Sequence, residues 1–479
     1  MIKNDRQYRL TKAQVRTFEN ALADLGGQPV PRGVDPALAS VQQRALESQV
    51  EEMISDVQQY EALKTGKVTA FEAHSIDELP ALLVKARIAR GMTHKELAER
   101  LHVKEQQVQR WESIDYCGAS IENLKAIADA LGVVLTQRLF VPRSGVTPKK
   151  FLSSLNETGL SSDFILRRIV SPDLASMFRS ETAGLKEIVN TSGTMAKVFG
   201  LKMTDLLEMK APRFDYSAVA AARFKLPARV SKEAVSAYAV YAHYLAALLV
   251  QCVEGEATRS MPNTSHDFHR AVSAPGKAMN FEAAIRFLWD CGIIVLPLCE
   301  AGGFHGAVWK IRDRFVVVLK QTTQLESRWL YDVLHETGHI KNGDVSDEAS
   351  LIEEQEISPE ISGTEEEAAN EWAENTIFDG RSGELEAACT KACNGQLQKL
   401  KAVLPRLAKA YNVNLGSLAN HMAYRLAQQN ENWWGAANNL QTTGRNPFGI
   451  AREILLERIN LFQLSPFDRE LLQRALTEE

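Results

Sequence analysis

Two histidines four residues apart, with a glutamate beside the first, restrict what this chain can fold into more than any other feature: Val333-Leu334-His335-Glu336-Thr337-Gly338-His339-Ile340. In an α-helix a four-residue step returns about 40° past a full turn, so both imidazoles leave one face, roughly 6 Å apart along the axis. From there they can share one metal ion. Zinc (Zn2+) bound by two neutral imidazoles and a third ligand keeps a position for water and lowers that water's pKa to about 7. Glu336 then stands where it can take the proton during attack on a carbonyl. Chance is a weak rival, because ten His and 60 acidic residues among 479 give roughly 0.03 accidental HExxH matches per chain.

The flanking residues supply a matching context. Phe315-Val316-Val317-Val318-Leu319 reads as a buried strand, and from about Leu325 the residues Leu330, Val333, Leu334 and Ile340 fall at helical spacing until Asn342-Gly343 stops the helix. A third ligand is required, and no third His follows His339 within reach. That leaves a Glu on a second helix. Thr364-Glu365-Glu366-Glu367-Ala368-Ala369-Asn370-Glu371-Trp372-Ala373 begins with a capping Thr and an acidic first turn. Glu366, Ala369, Asn370 and Ala373 share a face whose small residues allow close packing on the HExxH helix. Glu366 is the favoured third ligand, with Glu365 and Glu367 as alternatives. The group that stabilises an oxyanion is unassigned among Tyr331, His305, His421, Tyr424 and Arg425.

His335-Glu336-x-x-His339 followed by Glu366-x-x-Ala369-Asn370-x-Trp372-Ala373 resembles the ImmA/IrrE family of zinc metallopeptidases over roughly residues 265 to 430. Trp372 stands where that family has Phe, and its usual Met-Pro ending has become Asn375-Thr376-Ile377-Phe378-Asp379. The resemblance implies a gluzincin-like metalloendopeptidase. Its protein substrate would be a helix-turn-helix repressor or antitoxin of a prophage, mobile-element or stress regulon.

A second motif lies upstream. Leu79 to Gly91 reads as a first helix, Thr93 to Leu101 as a capped second and Val103 to Glu112 as a third. Leu97, Ala98, Val103, Val108 and Trp111 fall at helix-turn-helix core positions, and Leu124, Ile127, Ala128 and Leu131 close the bundle. This resembles the XRE (Cro/repressor-like) family, with Glu112 at its usual Glu and His94 where a Gln is usual. The DNA-facing residues expected are Thr93, His94, Lys104, Glu105, Gln106 and Gln109, with Arg110 available to a phosphate. From Glu78 to Arg138 nine Lys/Arg face eight acids, so the domain carries no strong electrostatic footprint and must rely on local placement and a second subunit. A heptad seam of Leu46, Val50, Met53, Val57 and Tyr60 offers either a dimer contact or packing on the chain's own core. A homodimer on an inverted-repeat operator is the expected DNA partner arrangement.

With 45% hydrophobic and 24% charged residues and a net charge of −5, nothing indicates general affinity for nucleic acid or membrane. Ala237 to Val253 is interrupted by His243, tyrosines and Gln251 and reads as a buried helix. The first residues contain no apolar signal run, and a cytoplasmic location is expected. The six cysteines form no disulfide framework, and Cys389 and Cys393 read as structural. Linkers are expected at Thr65 to Ser75, Val141 to Pro148 and Gly255 to Asp267, and a mobile acidic rim loop at Asp344 to Glu356. The fold class expected is mainly α with a small β-sheet, in several domains. These are a helical arm over 1–75, a helix-turn-helix domain over 76–140, a helical middle of open role over 150–255, an α+β zincin-like metallopeptidase domain over 265–383 and a helical region over 384–479.

Overall fold

A computed structural model describes residues 1–26, 49–50, 53–65, 71, 79–134, 146–156, 159–210, 223–224, 232–253, 255–273, 278–300, 304–345, 363–394, 396–441 and 444–478. The chain is mainly helical and divides into two compact units, Met1–Val141 and Pro142–Glu479.

The first unit is built from α1 (Asp5–Gly26), α2 (53–64), α3 (Leu79–Ala89), α4 (His94–Leu101), α5 (Glu105–Ser113) and α6 (Ile121–Leu131). Thr93 caps α4 in a reciprocal box with Glu96, satisfying two amides that the first helical turn leaves unbonded. His102, at φ 55, makes the left-handed turn into α5. Leu97, Val108, Ile127 and Leu131 are fully buried or nearly so, in one cluster with Val57, Tyr60 and Leu63 of α2. The heptad seam is therefore turned inward: Val50, Val57 and Tyr60 are buried, and Tyr60 stacks on Tyr8 of α1 at 5.3 Å. Packing Val57 and Tyr60 into the cluster of the helix-turn-helix core removes them from water within one subunit, which is the second of the two alternatives the seam offers. The arm also belongs to the same compact unit. Leu46 and most of the Thr65 to Ser75 linker lie outside the described residues.

The second unit begins with α7 (Pro148–Asn156) and α8 (Ser162–Phe164), which runs into a π-helical turn at Ile165–Ile169. It continues with α9 (Pro172–Arg179), α10 (Leu185–Phe199) and α11 (Met203–Leu207), then β1 (Arg223–Phe224), α12 (Lys232–Cys252), α13 (Ser265–Val272) and α14 (Phe281–Asp290). Next come β2 (Ile294–Leu298), β3 (Gly306–Ile311) and β4 (Arg314–Lys320), followed by α15 (Glu326–Asn342) and α16 (Gly363–Phe378). The helices α17 (Ser382–Cys393), α18 (Leu400–Tyr411), α19 (Leu415–Ala427), α20 (Trp434–Asn439), α21 (Pro447–Arg458) and α22 (Pro466–Ala475) complete it.

The sheet has the order β1-β3-β4-β2, with β2 parallel and β3 antiparallel to β4. Val316 to Lys320 are all buried, the pattern of a strand covered on both faces. The helices α12 and α15 both pack on β3 and β4. Because β1 pairs with β3 and α12 packs on β3 and β4, the described residues of 150–255 fall in the same compact unit. So do the helices after 384. The Gly255 to Asp267 segment is pinned, with the Thr258 and Arg259 amides donating to the Asp290 carbonyl. Thr364 lies within the first turn of α16, and not at its cap. Among the described residues no helix is long and apolar enough to cross a membrane.

Candidate metal centre and nucleic-acid interface

Helix α15 ends at Gly343, which takes the left-handed conformation at φ 77 that favours glycine. It crosses α16 at close range. A Cβ on Gly338 would lie 2.8 Å from Ala369 Cα and 3.0 Å from its carbonyl oxygen, so a side chain there would push the helices apart. At this crossing His335 and His339, 0% and 1% exposed, set their rings edge to face at 5.0 Å. Glu366 spans them, with Oε2 3.4 Å from His335 Nε2 and Oε1 3.5 Å from His339 Nε2. The three donor atoms lie within 4.8 Å of one another; Glu365 and Glu367 do not enter the cluster.

Those separations are long for charge-assisted hydrogen bonds and leave room for an ion between two imidazoles and a carboxylate, a donor set that suits zinc. Glu366 Oε1 is shielded from solvent and, among the described residues, accepts no hydrogen bond. Burial pushes the Glu366 carboxyl up, but the two imidazoles outweigh it and hold it well below the usual carboxylate range. For His339 burial opposes charge, yet Glu366, Glu336 and Asp344 raise its pKa.

The sequence alone marks Asp344 only as the first acid of the expected rim. The chain turns back at Gly343, so that the Asp344 amide donates to the His339 carbonyl and its Oδ2 lies 2.8 Å from His339 Nδ1. This fixes the ring with Nε2 toward Glu366, the outer-shell arrangement that orients metal-binding histidines. Its sequence signal was its place just after the Gly that ends α15. The rest of the expected acidic rim, 346–356, lies outside the described residues. Glu336, 1% exposed, lies against the start of β3: a Cβ on Gly306 would come within 2.3 Å of its Oε1. Tyr331, one turn before His335, stacks on that ring at 6.1 Å and donates its hydroxyl to Asn370 Oδ1 at 2.5 Å.

A second group, Glu374, Glu386 and His421, also gathers on three helices. Here His421 Nε2 is 2.9 Å from Glu386, Nδ1 is 3.6 Å from Glu374, and Arg425 Nε is 2.8 Å from Glu386. Opposite ring nitrogens meet opposite carboxylates, which is the geometry of an ion-pair chain and not of one shared ion. His305 is exposed at the start of β3. Cys389 and Cys393 are buried and unbridged, and burial pushes Cys389 up to about 11.

In the first unit α5 presents Lys104, Glu105, Gln106, Gln109 and Arg110 to solvent while Val108 faces the core. Gln109 Nε2 donates to Glu105 Oε1 at 2.9 Å. Thr93 is exposed with its hydroxyl committed to the α4 cap. His94 points inward: Nε2 is 2.9 Å from Glu112, because Glu112 draws donors. Glu112, 1% exposed, is bidentate to Arg87 at 2.6 and 2.7 Å and accepts from Tyr116 at 3.2 Å. Burial raises its pKa, but His94 and Arg87 bring it below the ordinary value. Lys3 Nζ donates to the Glu112 carbonyl at 2.6 Å and Arg87 Nη2 to the Lys3 carbonyl at 2.7 Å, so the first residues are tied across the end of α5.

The helix-turn-helix family model matches residues 83–136, the segment running from within α3 past α6. Of these, the described residues 83–134 form a helix-turn-helix domain. No curated protein and no solved structure matches the chain.

Proposed function

We propose that this chain is a DNA-binding, zinc-dependent endopeptidase that regulates transcription in the cytoplasm by cleaving a helix-turn-helix repressor or an antitoxin. The observation that carries the reading is the convergence of His335, His339 and Glu366 at the α15–α16 crossing, with Glu336 on the same helix and Asp344 behind His339. The likeness of the two motif helices to the ImmA/IrrE pattern supports it. A zinc ion held there supplies Lewis acidity toward water and the scissile carbonyl. Glu336 takes a proton from the attacking water as the new C–O bond forms, and returns it to the departing nitrogen as the C–N bond breaks. The exposed α5 face would read base edges with Gln106 and Gln109, flanked by Lys104, Glu105 and Arg110. Two copies on an inverted repeat would supply the specificity that one such helix lacks.

Glu336→Gln tests the reading, because it keeps the size of the side chain and removes the base. Zinc content by metal analysis should match the wild type, while the protein whose level falls on induction should persist. Loss of a positioned general base costs about 10²- to 10⁴-fold. Unchanged regulation of the target genes by this variant would instead favour a non-proteolytic XRE-type regulator, or an antitoxin-like binding module, in which zinc is structural or sensed.

A further inference from the structure

Helices α15 and α16 repeat their pairing one turn beyond the metal centre. Tyr331 precedes His335 by four residues and Asn370 follows Glu366 by four, and the two join through the Tyr331 hydroxyl at 2.5 Å from Asn370 Oδ1. That bond therefore lies about one turn, roughly 5.4 Å, along the crossing from the His335–Glu366 pair. The Tyr331 ring is held by its 23° stack on His335, so the hydroxyl has a fixed direction beside the centre. Residue 331 is not sealed off, being of intermediate exposure.

We propose that Tyr331 is a catalytic residue of the proposed peptidase, its hydroxyl donating a hydrogen bond to the scissile carbonyl oxygen as negative charge develops on it. The inference rests on the metal-centre reading above. To make that hydrogen bond the hydroxyl must come within about 2.7 to 3.1 Å of a carbonyl oxygen that would be polarised at the centre of His335, His339 and Glu366. Asn370 makes the switch inexpensive. In the resting protein its amide oxygen accepts a hydrogen bond from the Tyr331 hydroxyl; a rotation of the amide presents its NH2 to the phenol oxygen instead, releasing the O–H from Asn370 toward substrate. No bond to hydrogen breaks, and no further reactant is needed.

The test uses the full chain loaded with Co2+ alone, whose visible spectrum reports on the centre, and acetohydroxamate as an anionic probe for the carbonyl position. Tyr331→Phe should take up Co2+ to the wild-type stoichiometry but bind acetohydroxamate about 10-fold or more weakly, the usual effect of losing a hydrogen bond to a charged group. Asn370→Ala removes the amide that accepts from the hydroxyl, so probe affinity should stay within about twofold of wild type or rise. Equal probe affinity in wild type and Tyr331→Phe would overturn the proposal, as would equal losses in both variants, which a purely structural Tyr331–Asn370 tie requires. A wild-type chain that binds no Co2+ would remove the metal-centre reading itself, and this inference with it.

Discussion

Lys320 closes β4 as a buried cation, 2% exposed, with its ammonium 4.6 Å from the Tyr238 ring and 3.3 Å from the Phe304 carbonyl. Burial lowers its pKa from 10.5 to about 8, against the pull of Glu300. The sign of the pH effect follows from which state holds the proton. Between about 8 and 10.5 the unfolded lysine is still charged while the folded one has released its proton, so stability rises with pH across that window. Below about 8 the cost of burying the charge is present in full. Lys320→Met should therefore raise the unfolding temperature relative to wild type most near neutral pH, and the difference should shrink as pH climbs toward 10.5. A difference that is flat with pH in thermal unfolding would mean that Lys320 does not titrate in this range. The polar group and the metal centre share a principle, in that a charge inside the fold persists only beside groups that compensate it.

At the scale of elements, α3, α4 and α5 are locked by one carboxylate. Glu112 receives Arg87 from α3, His94 from α4 and Tyr116 from the turn beyond α5, so the angle at which α5 is presented depends on it. Glu112→Gln removes the charge while Arg87, 4% exposed, keeps its own. Leaving one partner of a buried pair uncompensated typically costs about 3 to 5 kcal/mol. The helix-turn-helix unit should melt well below wild type by circular dichroism, and DNA binding should fall with it. Replacing both partners, as in Arg87→Met with Glu112→Leu, should cost much less. If the single variant melts like the wild type, the angle of α5 is held by the apolar cluster alone. By contrast the close approach of α15 and α16 depends on absence of bulk, at Gly338 and Ala369.

At the scale of the whole molecule, two compact units with separate cores should unfold in separate steps. Only the second holds His335, His339 and Glu366, so a ligand bound to them stabilises that unit by mass action and leaves the other unaffected. Calorimetry should therefore show two transitions, and a chelator should lower one of them while the other, carrying the helix-turn-helix domain, stays in place. Movement of both together, or of neither, would contradict this assignment of the centre. What the sequence by itself determined were the features written in local order. The HExxH helix and its stop at Gly343, the second helix carrying Glu366, the buried β4, the capped α4 and the exposed residues of α5 follow from periodicity, caps and side-chain type within a few turns. The turn at Gly343 that returns Asp344 to His339 was also local, but its acid read as one of a run. Only the tertiary structure decided the rest. Burial on one face does not say what covers it, so the seam of α2 could pack on its own core or on a second copy, and His94 could face DNA or Glu112. Likewise the 150–255 helices carry no mark of the sheet that β1 and α12 join, because such contacts span long stretches of chain and depend on shape and desolvation that no local pattern records.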